Sequence, residues 1–112
     1  MTSLSTHVLD TTLGRPARGV RVTLLRARPD TRWQQLAAAV TDVDGRIREF
    51  DLKEPLVPGE HRLVFDTGPY FAARGGDSFY PRVSVDFELR EGEHHHVPLL
   101  LSPFGYSTYR GS

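Results

Sequence analysis

The segment RVSVDFEL, residues 82–89, alternates without a break. Val83, Val85, Phe87 and Leu89 are apolar, and Arg82, Ser84, Asp86 and Glu88 are polar. A period of two sends successive side chains to opposite faces, so the segment predicts a strand with one dry face and one wet one. VRVTLLRA, 20–27, follows the same rule, with Val20, Val22 and Leu24 set against Arg21 and Thr23. LSTHVLDT (4–11), RIREFDL (46–52), HRLVFD (61–66), HHHVPLLLS (94–102) and YSTYRGS (106–112) read as further strand candidates. The Gly- and Pro-bearing stretches LGRPARG, DVDG, EPLVPGE and REGE separate them as loops and turns. WQQLAAAVTD, 33–42, stays open: its Ala run suits a helix, whereas Trp33 and the Val-Thr end suit a strand. DTGPYFAARGG, 66–76, is the one credible helix, with Asp66 or Thr67 to cap it, Pro69 in its first turn and Gly75-Gly76 to stop it. Seven or eight short strands and one helix predict an all-β sandwich.

The 112 residues suffice for one domain, 1–112, with no repeat or linker. Acidic and basic residues balance at 14 each, which excludes the basic footprint of a nucleic-acid binder. The chain has no cysteine, so disulfide scaffolds and thiol catalysis are excluded. The longest apolar stretch, VPLLL, is far short of the roughly 20 residues of a spanning helix, and no membrane association is expected. The first ten residues carry neither a basic nor an apolar signal region, so the expected location is cytoplasmic.

EHHHVPLL, 93–100, holds the feature most suggestive of chemistry. On a strand its histidines split. His95 shares a face with Val97, Leu99 and Leu101, and His94 and His96 project from the other. A metal site needs three or four converging ligands, and no HxxxH or HExxH spacing supplies them; histidines on a strand surface and part of an active site are the other readings. Pro98 cannot donate to a ladder, so the strand is expected to be an edge there or locally irregular. His7, out of phase with Val8, would project outward like His96. Asp42 and Asp44 resemble a carboxylate pair, but on DVDG an Asx-type turn is the expectation. ARGGDS lacks the Lys and spacing of a phosphate loop.

LSTHVLDTTLGRPARGVRV, TDVDGRI, FDTGPYFA, SFYPRVSVDF and HHHVPLLLSPFGYSTYRGS, in that order, resemble the transthyretin-like family of 5-hydroxyisourate hydrolases from Leu4 to Ser112. The resemblance implies a sandwich of two four-stranded sheets with one short helix. It implies a homotetramer, a dimer of dimers, with active sites at the dimer–dimer interface. The implied reaction is cofactor-free hydrolysis of 5-hydroxyisourate to 2-oxo-4-hydroxy-4-carboxy-5-ureidoimidazoline, a cyclic-amide opening in urate degradation towards allantoin. Carried over by position, His7, Arg46 and His96 are the catalytic candidates. The terminal YRGS adds Tyr109 and Ser112 as substrate-binding candidates, beside Arg110 and Gly111. Arg48, in phase with Arg46, is demoted only by the resemblance. Phe104 and Tyr106 are expected at a subunit interface. His95 stands where Tyr is commoner in the family, a change expected to touch packing or an edge contact rather than chemistry. The chemistry fits these residue types: imidazoles exchange protons near neutrality, and a guanidinium steadies a developing oxyanion. The alternatives are a carrier of a small aromatic ligand, which needs apolar channel walls, and a non-catalytic interaction module.

Overall fold

The computed structural model describes residues 1–30 and 32–112. Nine strands and one helix follow in order: β1 (Ser3–Asp10), β2 (Arg15–Pro16), β3 (Arg21–Ala27), β4 (Trp33–Val40), β5 (Arg46–Ile47), β6 (Gly59–Phe65), α1 (Thr67–Ala72), β7 (Val83–Leu89), β8 (His94–Ser102) and β9 (Gly105–Thr108). One sheet runs β4-β3-β6-β7 and is antiparallel throughout. The other runs β2-β1-β8-β9, with β5 also paired to β1. Four strands per sheet were expected. The second sheet has five because the free edge of β1 is shared between two two-residue strands: β2 takes Leu9–Asp10 and β5 takes Thr6–His7.

The two-residue period builds the core. Leu4 and Val8 from β1, Val22 and Leu24 from β3, Leu63 and Phe65 from β6, Val83 and Leu89 from β7, and Val97, Leu99 and Leu101 from β8 are all buried. These five strands thus each turn one face to the facing sheet, and burial of those faces is the main favourable contribution to folding.

WQQLAAAVTD is a strand: Trp33–Val40 pairs with β3, with a bulge between Leu24 and Leu25. Sheet pairing overrides the helical preference of its alanines. RIREFDL is strand only at Arg46–Ile47; beyond it, Phe50 is buried and anchors a loop. The helix starts without the expected side-chain cap. Instead the Thr67 hydroxyl donates to the Tyr80 carbonyl at 2.8 Å and the Gly68 N–H to the Pro81 carbonyl at 2.9 Å. Its end matches expectation: Gly75 takes φ 72°, and the Gly76 N–H returns to the Phe71 carbonyl.

Strand β8 is not an edge at Pro98, because it lies between β1 and β9. It is irregular there. The β8–β9 ladder runs from Ser102↔Gly105 to Leu99↔Thr108, lapses beside Pro98, and returns as a bridge between His96 and Gly111. The Thr108 hydroxyl, 2.7 Å away, donates to the Pro98 carbonyl.

A candidate active site on the outer face of the five-stranded sheet

Parallel pairing of β1 with β8 sets Ser3 beside His94, Ser5 beside His96 and His7 beside Pro98. Antiparallel pairing of β1 with β5 sets His7 beside Arg46. Paired residues project to the same side of a sheet. The inward set, Leu4, Thr6, Val8, Val97 and Leu99, is buried. The alternate positions Ser3, Ser5, His7, Arg46, His94 and His96 therefore share the outer face. The split of the histidine run is as expected, since His95 is only 3% exposed and faces inward. Its Nδ1–H donates to the Ser3 carbonyl at 3.1 Å, and its Nε2 accepts the Arg90 backbone N–H at 2.9 Å. Both ring nitrogens of His95 are thus engaged with backbone, away from the outer face.

The DVDG turn is what delivers Arg46. The Asp42 carboxylate accepts the backbone N–H groups of Asp44 and Arg46, each at 2.9 Å, so it is an Asx-type turn as expected. Those bonds, the Arg46 one first, hold the Asp42 carboxyl below its ordinary range. Gly45 sits at φ 73°, and its carbonyl accepts the Val8 N–H at 2.7 Å. A Cβ on Gly45 would strike the Val8 carbonyl oxygen, so no other residue lets the turn dock on β1. The same turn fixes His7, whose Nε2–H donates to the Asp44 carbonyl at 2.8 Å. A carbonyl only accepts, so the neutral His7 ring carries its proton on Nε2 and presents a bare Nδ1.

His96 is held from two sides. Its Nδ1 lies 2.8 Å from the Ser5 hydroxyl. The Gly111 N–H donates to the His96 carbonyl at 2.8 Å, and a Cβ on Gly111 would come within 2.6 Å of His96 Cδ2. Gly111 is therefore glycine because its backbone lies against the imidazole. The Arg46 side chain makes no hydrogen bond or ion pair among the described residues, so its charge acts on its neighbours. Burial first, then Arg46, lowers the pKa of both His7 and His96 from 6.5; His7 and His94 depress His96 further. Both rings are thereby kept neutral near pH 7, the form in which imidazole is a base.

Arg46 and Arg48 both line a cleft of about 210 Å³ with Ser5, Thr6, Ile47 and His94. Arg48 is exposed and 3.7 Å from the Asp44 carboxylate, which leaves Arg46 as the unpaired cation of the two. Tyr109 is 56% exposed and borders a separate cleft between the β7 and β9 edges, together with Arg110, His95 and Phe87. Arg110 pairs with Glu93 at 2.9 Å. Ser112 is exposed. Neither the Tyr109 nor the Ser112 hydroxyl bonds to His7, Arg46 or His96 within the single chain. No group of three or more His, Asp or Glu side chains among the described residues is placed to hold a metal. Sequence reasoning missed Ser5 and Ser3; the signal available was their period-two spacing from His7, but their partners come from a parallel strand about 90 residues away.

A two-sheet sandwich with a short helix and a His–Arg–His outer face defines a transthyretin-like fold carrying a polar site. The HIUase/Transthyretin family is matched over residues 4–111, and the chain belongs to that family. It is 47% identical over 110 residues to the 5-hydroxyisourate hydrolase of Salmonella typhimurium, covering 97% of this chain and 80% of that one. The structure of Klebsiella pneumoniae 5-hydroxyisourate hydrolase superimposes with a TM-score of 0.87 at 43% identity, over 100% of this chain and 94% of that one. Sea bream transthyretin in complex with thyroxine superimposes with a TM-score of 0.91 at 33% identity, over 97% and 94%.

Proposed function

We propose that this chain hydrolyses 5-hydroxyisourate, opening a cyclic amide in urate degradation. The observation that carries the reading is the convergence of His7, Arg46 and His96 on one sheet face, with the guanidinium unpaired among the described residues. Water is activated by the bare Nδ1 of His7. Arg46 binds the carbonyl oxygens of the substrate and the oxyanion that forms on attack. His96 delivers a proton to the departing nitrogen from Nε2, the ring nitrogen not facing Ser5. A carrier of an apolar aromatic ligand would need apolar walls, and two imidazoles beside a free cation argue for chemistry instead.

The site completes in a homotetramer, a dimer of dimers located in the cytoplasm, with this face at the dimer–dimer interface. Supporting the assembly, β7 and β9 leave unpaired edges along one cleft, and Phe79, Phe104 and Tyr106 are exposed aromatics. Unpaired edges and apolar patches are what subunit contacts cover. In that assembly Tyr109 and Ser112 contact substrate through their hydroxyls. The test generates 5-hydroxyisourate with urate oxidase and follows its near-ultraviolet decay. Acceleration over spontaneous decay is expected, and an unchanged decay with binding of an aromatic ligand would favour the carrier.

A further inference from the structure

The outer face holds a chain of hydrogen bonds that leads away from His96. Ser5 Oγ lies 2.8 Å from His96 Nδ1 and 3.1 Å from His94 Nε2, and Ser3 Oγ lies 2.6 Å from His94 Nδ1. His94 is exposed, so the chain reaches solvent. A hydroxyl has one proton to donate, so Ser5 donates to one imidazole and accepts from the other. Only two arrangements satisfy every group. In the first, Ser3 donates to His94 Nδ1, His94 Nε2–H to Ser5, and Ser5 to His96 Nδ1, which leaves the proton of His96 on Nε2. In the second every bond is reversed, and His96 Nε2 is bare.

We propose that Ser5 and His94 form a proton relay that switches His96 between these two states during turnover. The relay rests on the hydrolase reading above. Burial and Arg46 disfavour the His96 imidazolium, and the hydrogen-bond chain gives the neutral ring a route to act as an acid. A neutral imidazole that gives up its Nε2 proton must regain one on Nδ1, or an imidazolate results. The relay supplies it. As the C–N bond breaks, the His96 Nε2 proton passes to the departing nitrogen and the Ser5 proton to His96 Nδ1. The His94 Nε2 proton moves to Ser5, the Ser3 proton to His94 Nδ1, and a water proton to Ser3. The proton taken from the attacking water leaves by His7, so charge balances; after product departs, water returns a proton to His96 Nε2 and the chain shifts back, Ser3 releasing one proton to solvent, which restores the first arrangement. Ser5 and His94 are positioning residues that act through His96.

The test measures kcat, KM and the solvent proton inventory of the wild type, Ser5→Ala, Ser5→Thr and His94→Gln. The relay predicts a curved inventory in the wild type. Ser5→Ala and His94→Gln should each lower kcat roughly 10- to 100-fold with KM within about twofold, and straighten the inventory. The double variant should be no slower than the worse single one, because one broken link disables the chain. Ser5→Thr keeps the hydroxyl and should stay within about threefold of wild type. A wild-type kcat and a curved inventory in His94→Gln would overturn the relay while leaving the hydrolase intact. Nitrogen NMR of His96 gives a readout independent of substrate. Tautomer-averaged ring shifts that change in His94→Gln support the relay, and a single fixed tautomer unaffected by that substitution overturns it. Failure of the wild type to accelerate decay would sink the hydrolase reading instead.

Discussion

At the residue scale, each candidate depends on a neighbour that restricts it. His7 is fixed by the Asp44 carbonyl, His96 by Ser5 and Gly111, and Arg46 by the Asp42 turn. Gly111→Ala should push the His96 ring aside, lowering kcat by roughly 10-fold or more while thermal stability changes little, as steady-state kinetics with a melting curve would show. The pH profile follows from the depressed histidines. The active forms are neutral, so the acid limb of kcat/KM should lie below pH 6.5. Arg46→Met removes a charge that lowers both values, so the limb should move up in pH even as the rate falls. His95 shows what the strand phase could and could not reveal. The alternation placed it inward, but its bonds to Arg90 and Ser3 depend on the turn after β7 and on the parallel partner strand. His95→Ala leaves the Arg90 N–H and the Ser3 carbonyl without those partners and should cost about 1–3 kcal/mol in chemical denaturation.

At the element scale, strands with uninterrupted alternation were legible and short or contested ones were not. RVSVDFEL became β7 within one residue, because the sheet needs only the period that the segment carries. RIREFDL shrank to two residues because the available edge of β1 is divided, a fact of topology and not of the segment. WQQLAAAVTD could be resolved only by its partner β3. The DVDG turn was legible, since Asp and Gly at those positions supply the side-chain acceptor and the positive φ. Its role in setting Arg46 beside His7 was not, because the turn bonds to His7, 37 residues earlier. Asp42→Ala removes two acceptor bonds at that turn. Activity should fall by an order of magnitude or more, because Arg46 loses its backbone anchor, and rescue by Asp42→Asn would confirm the acceptor role.

At the scale of the whole molecule, His61 couples stability to pH. It is fully buried; its Nδ1–H donates to the Gly59 carbonyl, and its Nε2 has no partner among the described residues. Burial, chiefly, lowers its pKa from 6.5; the hydrogen bond to the Gly59 carbonyl opposes it, Arg26 and His95 add to it, and Glu88 opposes it more weakly. The unfolded chain therefore binds a proton at higher pH than the folded one. The stability His61 contributes is present above pH 6.5 and is lost as pH falls through the depressed folded value. Denaturation midpoints should drop on acidification below pH 6.5 in the wild type and less so in His61→Phe.

The central claim is that one sheet face, carrying His7, Arg46 and His96, opens the ring. The most direct measurement compares the decay of freshly generated 5-hydroxyisourate with wild type, with His96→Ala and with no protein. Decay should be fast with wild type and slower by roughly 100-fold or more with His96→Ala. Equal decay with wild type and with His96→Ala would contradict the account.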